Sequence, residues 1–241
     1  MYFLPLSLRT LSRRRISRAR GAKGAFLVLL TACAGGSARP ATTSVLTVTT
    51  AASSTTTSTV GPAAVAISLR VERHVADPET EDFEATAIAT LTDPRGWSRA
   101  GFSFTFDAPD APYTMVLAEG DEVDQLCLPY DTYGLYSCQN GPVVALNADR
   151  WRAATPEWTG DLPTYRRMLV NHEVGHLLGM HHPANQCPVP DAPAPVMAQQ
   201  STELNGCLPN PWPLDDEVAC AARHDQPIAP PFEPDPTGSC Q

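Results

Sequence analysis

From Ala64 onward the chain alternates short β-branched runs with one run at helical spacing. "AVAISLRVERHV", Ala64–Val75, has the alternation of a strand, whereas Phe83, Ala87, Ile88 and Leu91 in "PETEDFEATAIATL" recur at the three-to-four-residue interval of a helix. "GFSFTFDA" and "YTMVLA" read as two further strands and "GPVVALN" as another, with a loop from Cys127 to Cys138 before the last. A longer helix follows, with start and stop signals: Asp161 or Leu162 as N-cap, Pro163 in its first turn, and Gly179 as a terminator able to take positive φ. Beyond it "DAPAPVMAQQ" is turn-like, "PLDDEVACAARH" is a short helix with acids in its first turn, and the tail from Asp225 is rich in proline. The expected order is strand, helix, three or four strands, the long helix and a last short helix, an α+β domain over residues 64–224 with a Pro-rich tail, 225–241.

Composition changes the picture mainly at the N-terminus. Seven basic residues, Arg9 to Lys23, precede the short apolar run "AFLVLLTA" with no acid between them, the pattern of a signal peptide over residues 1–32 rather than of a spanning helix. The run ends in "LTAC", which is similar to a lipobox and marks Cys33 as a lipidation site; otherwise the product is secreted. "SRRRIS" leaves both the general and the twin-arginine export routes open. Residues 33–63 hold the anchor site and a Thr/Ser/Ala-rich linker with too little apolar content to form a core. Removing the signal leaves 10 basic against 26 acidic residues, a net charge of −16 that argues against nucleic acid as a partner. With Cys33 set aside, six cysteines remain: Cys127, Cys138, Cys187, Cys207, Cys220 and Cys240. An even number in an exported chain suggests disulfides; sequential pairing is favoured, although the sequence permits others. The expected product is an exported monomer that meets the membrane only through its lipid.

The chemistry concentrates in "NHEVGHLLGMHH", Asn171–His182. On a helix His172 and His176 lie one turn apart and project from the same face, at a spacing one metal ion bridges. Glu173, beside the first histidine, can reach a metal-activated water as a general base. Three neutral imidazoles and one open position suit Zn2+. After Gly179 an extended chain points consecutive side chains to opposite sides, so only one of His181 and His182 faces the metal, and spacing selects His182. His74 and His224 are isolated and read as surface or satisfied histidines; the four tryptophans read as packing, and so do Tyr165 and Leu169, which share the face of His172.

The resulting pattern, H-E-x-x-H-x-x-G-x-x-H at His172, Glu173, His176, Gly179 and His182, resembles the metzincin clan of zinc endopeptidases, and "APVMAQQ" looks like its Met-turn with Met197 as the methionine. The wider sequence is similar to an actinobacterial family of exported proteins of undetermined function with a zincin-like fold. The resemblance implies a twisted mixed sheet with an N-terminal helix and an active-site helix, an irregular Met-turn subdomain and a short C-terminal helix. It also implies a catalytic role for Glu173 and a peptide or protein substrate lying extended along a sheet edge. Two departures stand out: Gln199 occupies the place where some metzincins carry a tyrosine, and the spacer before Met197 contains Cys187 and five prolines. Two alternatives remain beside the endopeptidase: a non-catalytic zinc-containing surface module, and a zinc hydrolase acting on a non-peptide cell-wall amide. A structural zinc takes four protein ligands and needs no general base, so Glu173 favours catalysis.

Overall fold

In a computed structural model, residues 65–106 and 108–223 are described, all within the unit Thr57–Gln241. The signal peptide, Cys33, the linker, His224, Cys240 and the tail lie outside them. Five strands form one mixed sheet: β1 (Val65–Arg73), β2 (Phe102–Thr105), β3 (Tyr113–Ala118), β4 (Cys138–Asn140) and β5 (Val143–Asn147). Their order is β2-β1-β3-β5-β4; β4 alone runs antiparallel and stands at one edge. The helices are α1 (Phe83–Leu91), α2 (Gly120–Leu126), α3 (Ala148–Ala153), α4 (Leu162–Leu177) and α5 (Asp215–Ala221). The architecture is therefore α+β, with a mostly parallel sheet.

Parallel pairing places the connections over the faces of the sheet, and the strand sequences record which faces are covered. In β3 and β5, Met115, Leu117, Val144 and Leu146 face the large core shared with Phe83, Ala87 and Leu91 of α1 and with the apolar side of α4. Their alternates, Val116, Ala118 and Ala145, pack with Val123 of α2 and Cys127 on the opposite face. Coverage on both sides explains why "YTMVLA" reads as continuous apolar residues rather than as an alternation. Trp97, Trp151, Phe83 and Tyr165 fill the large core; Phe83 meets Trp151 edge to face at 5.0 Å between centroids. Such a pair is worth about 0.5–1.5 kcal/mol beyond the area it buries.

Two helices go beyond the expected element order, and β4 makes the strands after α1 four of the three or four expected. Leu126 closes α2 just before the disulfide loop, and α2 shows little of itself in sequence because Val123 is its only buried residue. α3 begins immediately after β5, where the Asn147 side chain accepts hydrogen bonds from the Asp149 and Arg150 amides as N-cap. A strand running straight into a six-residue helix conceals the junction. α3 then anchors the surface: Arg152 bridges Asp77, Glu119 and Asp149, and this cluster holds the α3 surface against the segment before α1. Among the described residues no helix is long and apolar enough to cross a membrane.

Candidate metal centre

The site is built on the end of α4. Asp161 caps the helix by accepting a bond from the Thr164 amide at 2.7 Å, with Pro163 in the first turn. At the other end the Met180 amide donates to the Gly175 carbonyl and the Gly179 amide to that of His176, a Schellman closure in which Gly179 takes φ 88°. Any side chain at that φ would be strained, so the glycine fixes where the helix stops. The stop itself positions a site residue, because the Met180 carbonyl that follows it lies 2.8 Å from His176 Nδ1.

His172 Nδ1 likewise lies 2.8 Å from the Val196 carbonyl. A carbonyl only accepts, so both Nδ1 atoms carry the proton and both Nε2 atoms are left as lone-pair donors to a cation. The chain beyond Gly179 then delivers His182, whose Nε2 lies 3.1 Å from that of His172 and 3.1 Å from that of His176. The three histidines form a group able to hold a metal ion, with ligand atoms all within 4.8 Å of one another. His182, not His181, completes the cluster, while His181 lines the cleft beside it. His172 is buried and His182 exposed, so the cluster is closed on the helix side and open on the other.

Burial sets the electrostatics. It pushes the His172 imidazole down to about 3, helped by the neighbouring His182 and opposed by the bond to Val196. His176 is driven well below its usual value by burial and by His172, His182 and His181, and His182 falls mainly through burial. All three are therefore neutral at physiological pH, the state in which imidazole binds a metal. Burial raises Glu173 to about 8, and a cation held by the histidines would pull it down again.

Beneath the helix lies Met197, buried in the turn expected around it. Gly175 makes the close approach possible: a Cβ there would stand 2.3 Å from Met197 Sδ and 2.9 Å from Trp97 Cζ2. The turn has almost no regular secondary structure, and side chains hold it together instead. The buried Glu217 carboxylate of α5 accepts from the Val196, Met197 and Leu214 amides at 3.0, 2.8 and 2.8 Å. Gln200 bonds to Pro195 and to the backbone of Asn210, and Asn210 donates to Ala194 and Trp212. Disulfides close Cys187–Cys207 around this segment and Cys127–Cys138 around the loop next to β4. Cys220 is also disulfide-bonded, and its expected partner, Cys240, lies outside the described residues.

A cleft of about 430 Å³ opens beside the three histidines, lined among others by Glu173, His176, Leu169, Arg150, Ser201 and the edge strand residues Cys138 and Gln139. Gln199 is on its wall, and Ser201 bonds to the Tyr165 hydroxyl at 2.8 Å. Tyr165 belongs to the core, whereas Leu169 is both core and cleft lining. His74 is on the surface, paired with Glu122 at 2.7 Å. Trp97, Trp151 and Trp158 are core, and Trp212 is half-buried under Arg95. Sequence reasoning missed Glu217, Gln200, Asn210 and Arg150. Glu217 is one of three acids opening α5 and has no local mark separating it from its solvated neighbours. Gly175 carried a signal inside the motif itself, as a glycine in a buried helix interior.

Over residues 40–223 the chain matches, and it belongs to, the family described as "Protein of unknown function (DUF3152)". No curated protein matches it.

Proposed function

We propose that the chain is an exported, metzincin-like zinc endopeptidase, in which His172, His176 and His182 hold Zn2+ and Glu173 is the general base. The observation that carries this reading is a buried glutamate lining the same cleft as three neutral imidazoles whose Nε2 atoms converge. The two separations from His182 Nε2, 3.1 Å each, compare with about 3.3 Å between tetrahedral ligands at a zinc–nitrogen distance of about 2.0–2.1 Å. Three imidazoles leave a coordination position for water or substrate, whereas a structural zinc takes four protein ligands. The mixed sheet with an antiparallel edge strand at the cleft, the helix stop at Gly179 and the methionine under the helix also support the metzincin-like reading.

Bound zinc supplies Lewis acidity, lowering the pKa of water and polarising the scissile carbonyl. The protein's residues do the rest. Glu173 accepts the proton of the attacking water and passes it to the departing amine, which needs a carboxyl buried enough to hold a proton and close enough to deliver it. The carbonyls of Val196 and Met180 fix the tautomers of His172 and His176, so neither ring turns away from the ion. β4 offers its outer edge to an extended peptide, whose backbone bonds position the scissile bond without reading sequence. The test is cleavage of a diverse peptide library by the purified protein, with and without a chelator. Internal cleavage that chelation stops and added zinc restores is expected; activity unchanged by chelation, or none with zinc bound, would contradict it.

A further inference from the structure

The cleft wall carries a cation whose position bears on the choice of substrate. Among the described residues Arg150 of α3 is the one Lys or Arg lining the cleft, whose wall also includes Met168, Leu169 and Ser201. Its Nη1 donates to the Ala154 carbonyl at 3.2 Å, while its Nε is buried and has no hydrogen-bond partner. Among the described residues it has no ion pair, whereas Arg152, two residues along the same helix, is held by three carboxylates. The charge also reaches Tyr165, where it opposes the burial that raises the phenol to about 12. The third nitrogen, Nη2, makes no hydrogen bond and, unlike Nε, is not buried, which leaves it as the charged donor that a carboxylate in the cleft can reach.

We propose that Arg150 makes the cleft carboxylate-selecting, so that preferred substrates carry an acidic side chain next to the bond that is cut. This rests on the peptidase reading of the metal centre and gives that reading a substrate class. The acidity of the protein strengthens the point. With 26 acidic and 17 basic residues, its long-range field opposes acidic peptides, so the preference comes from the contact itself and survives moderate salt. The cleft's own carboxylates do not neutralise Arg150: Asp131 is exposed and accepts from the Tyr133 amide, and Glu173 is the buried base at the centre.

Binding to the zinc-loaded full chain tests this without relying on turnover. Three peptide hydroxamates serve as calorimetric probes: one with an aspartate side chain, its asparagine isostere, and the asparagine compound with a free terminal carboxylate. The wild type should bind the aspartate probe at least about tenfold more tightly than the other two. Arg150→Gln should reduce that ratio to about one, and Arg150→Lys should keep its sign but shrink it, with zinc content unchanged in both. A wild-type ratio near one overturns the proposal however the variants fold; so does a ratio that survives Arg150→Gln, or a gain that follows the terminal carboxylate instead. Peptide cleavage without the ratio would leave the peptidase standing and remove this inference. The ratio without any cleavage would keep the carboxylate pocket and remove the peptidase.

Discussion

Gly175 shows how much a single position decides in this site. A methyl group there would fall 2.3 Å from Met197 Sδ, so the absence of a side chain lets the turn rise against the helix that carries the histidines. The five motif residues were legible in sequence because helical period and ligand chemistry fix their spacing without reference to the remainder of the fold. The residues that hold them in place were not. Glu217 joins Val196, Met197 and Leu214 through bonds across 21, 20 and three residues, and nothing local marks it. Glu217→Gln replaces one acceptor oxygen by an NH2 group and leaves a buried amide unpaired, a cost of about 1–3 kcal/mol. Because Val196 in turn orients His172, zinc affinity measured by chelator competition should fall about 10–100-fold, and an unchanged affinity would show that the turn holds itself. The two adjacent histidines give a second contrast. His182→Ala should lose zinc, and His181→Ala should keep it, as read by metal content after dialysis.

Strength of local pattern decided which elements could be read in advance. α4 carries an N-cap, a proline and a terminating glycine, and β3 and β5 are short, largely apolar runs with β-branched residues, so all three were expected. α2, α3 and β4 are seven, six and three residues long, too short for a period to emerge, and they exist because the neighbouring sheet and disulfide hold them. The order β2-β1-β3-β5-β4 was not legible either, since every pairing except the β4–β5 hairpin joins residues far apart in sequence. The segment around Met197 sits between these cases. Its prolines and cysteines announced an irregular loop, whereas the Gln200 and Asn210 bonds that brace it did not. The Cys187–Cys207 bridge closes a 20-residue separation, for which chain entropy alone predicts about 3 kcal/mol. A Cys187→Ser, Cys207→Ser variant should therefore melt earlier, and on heating it should release zinc before its circular dichroism changes. Simultaneous loss of zinc and fold would mean that the bridge stabilises the whole domain rather than the turn.

At the scale of the molecule, the buried titratable groups of the centre link stability to pH. In the metal-free protein His172, His176 and His182 all stay neutral below the usual 6.5, while an unfolded chain takes up protons there; stability is full above about 6.5 and is lost as pH falls through it. Glu173 works in the opposite sense. Raised from 4.5 to about 8, it keeps a proton that the unfolded chain has released, so its contribution falls as pH rises across that interval. Three histidines outweigh one glutamate below 6.5 and none opposes it above, which places the maximum melting temperature of the metal-free protein near pH 6.5. A melting temperature that rises steadily from pH 5 to 8 would contradict this. Zinc should displace the maximum upward, because the ion competes with protons for the imidazoles and draws the carboxyl down. The central claim, that three histidines hold zinc while Glu173 moves the proton, is tested most directly by measuring zinc content and peptide cleavage together in Glu173→Ala. The account predicts one zinc per chain and cleavage reduced by at least about 100-fold; a Glu173→Ala protein that still cleaves at the wild-type rate with its zinc in place would contradict it.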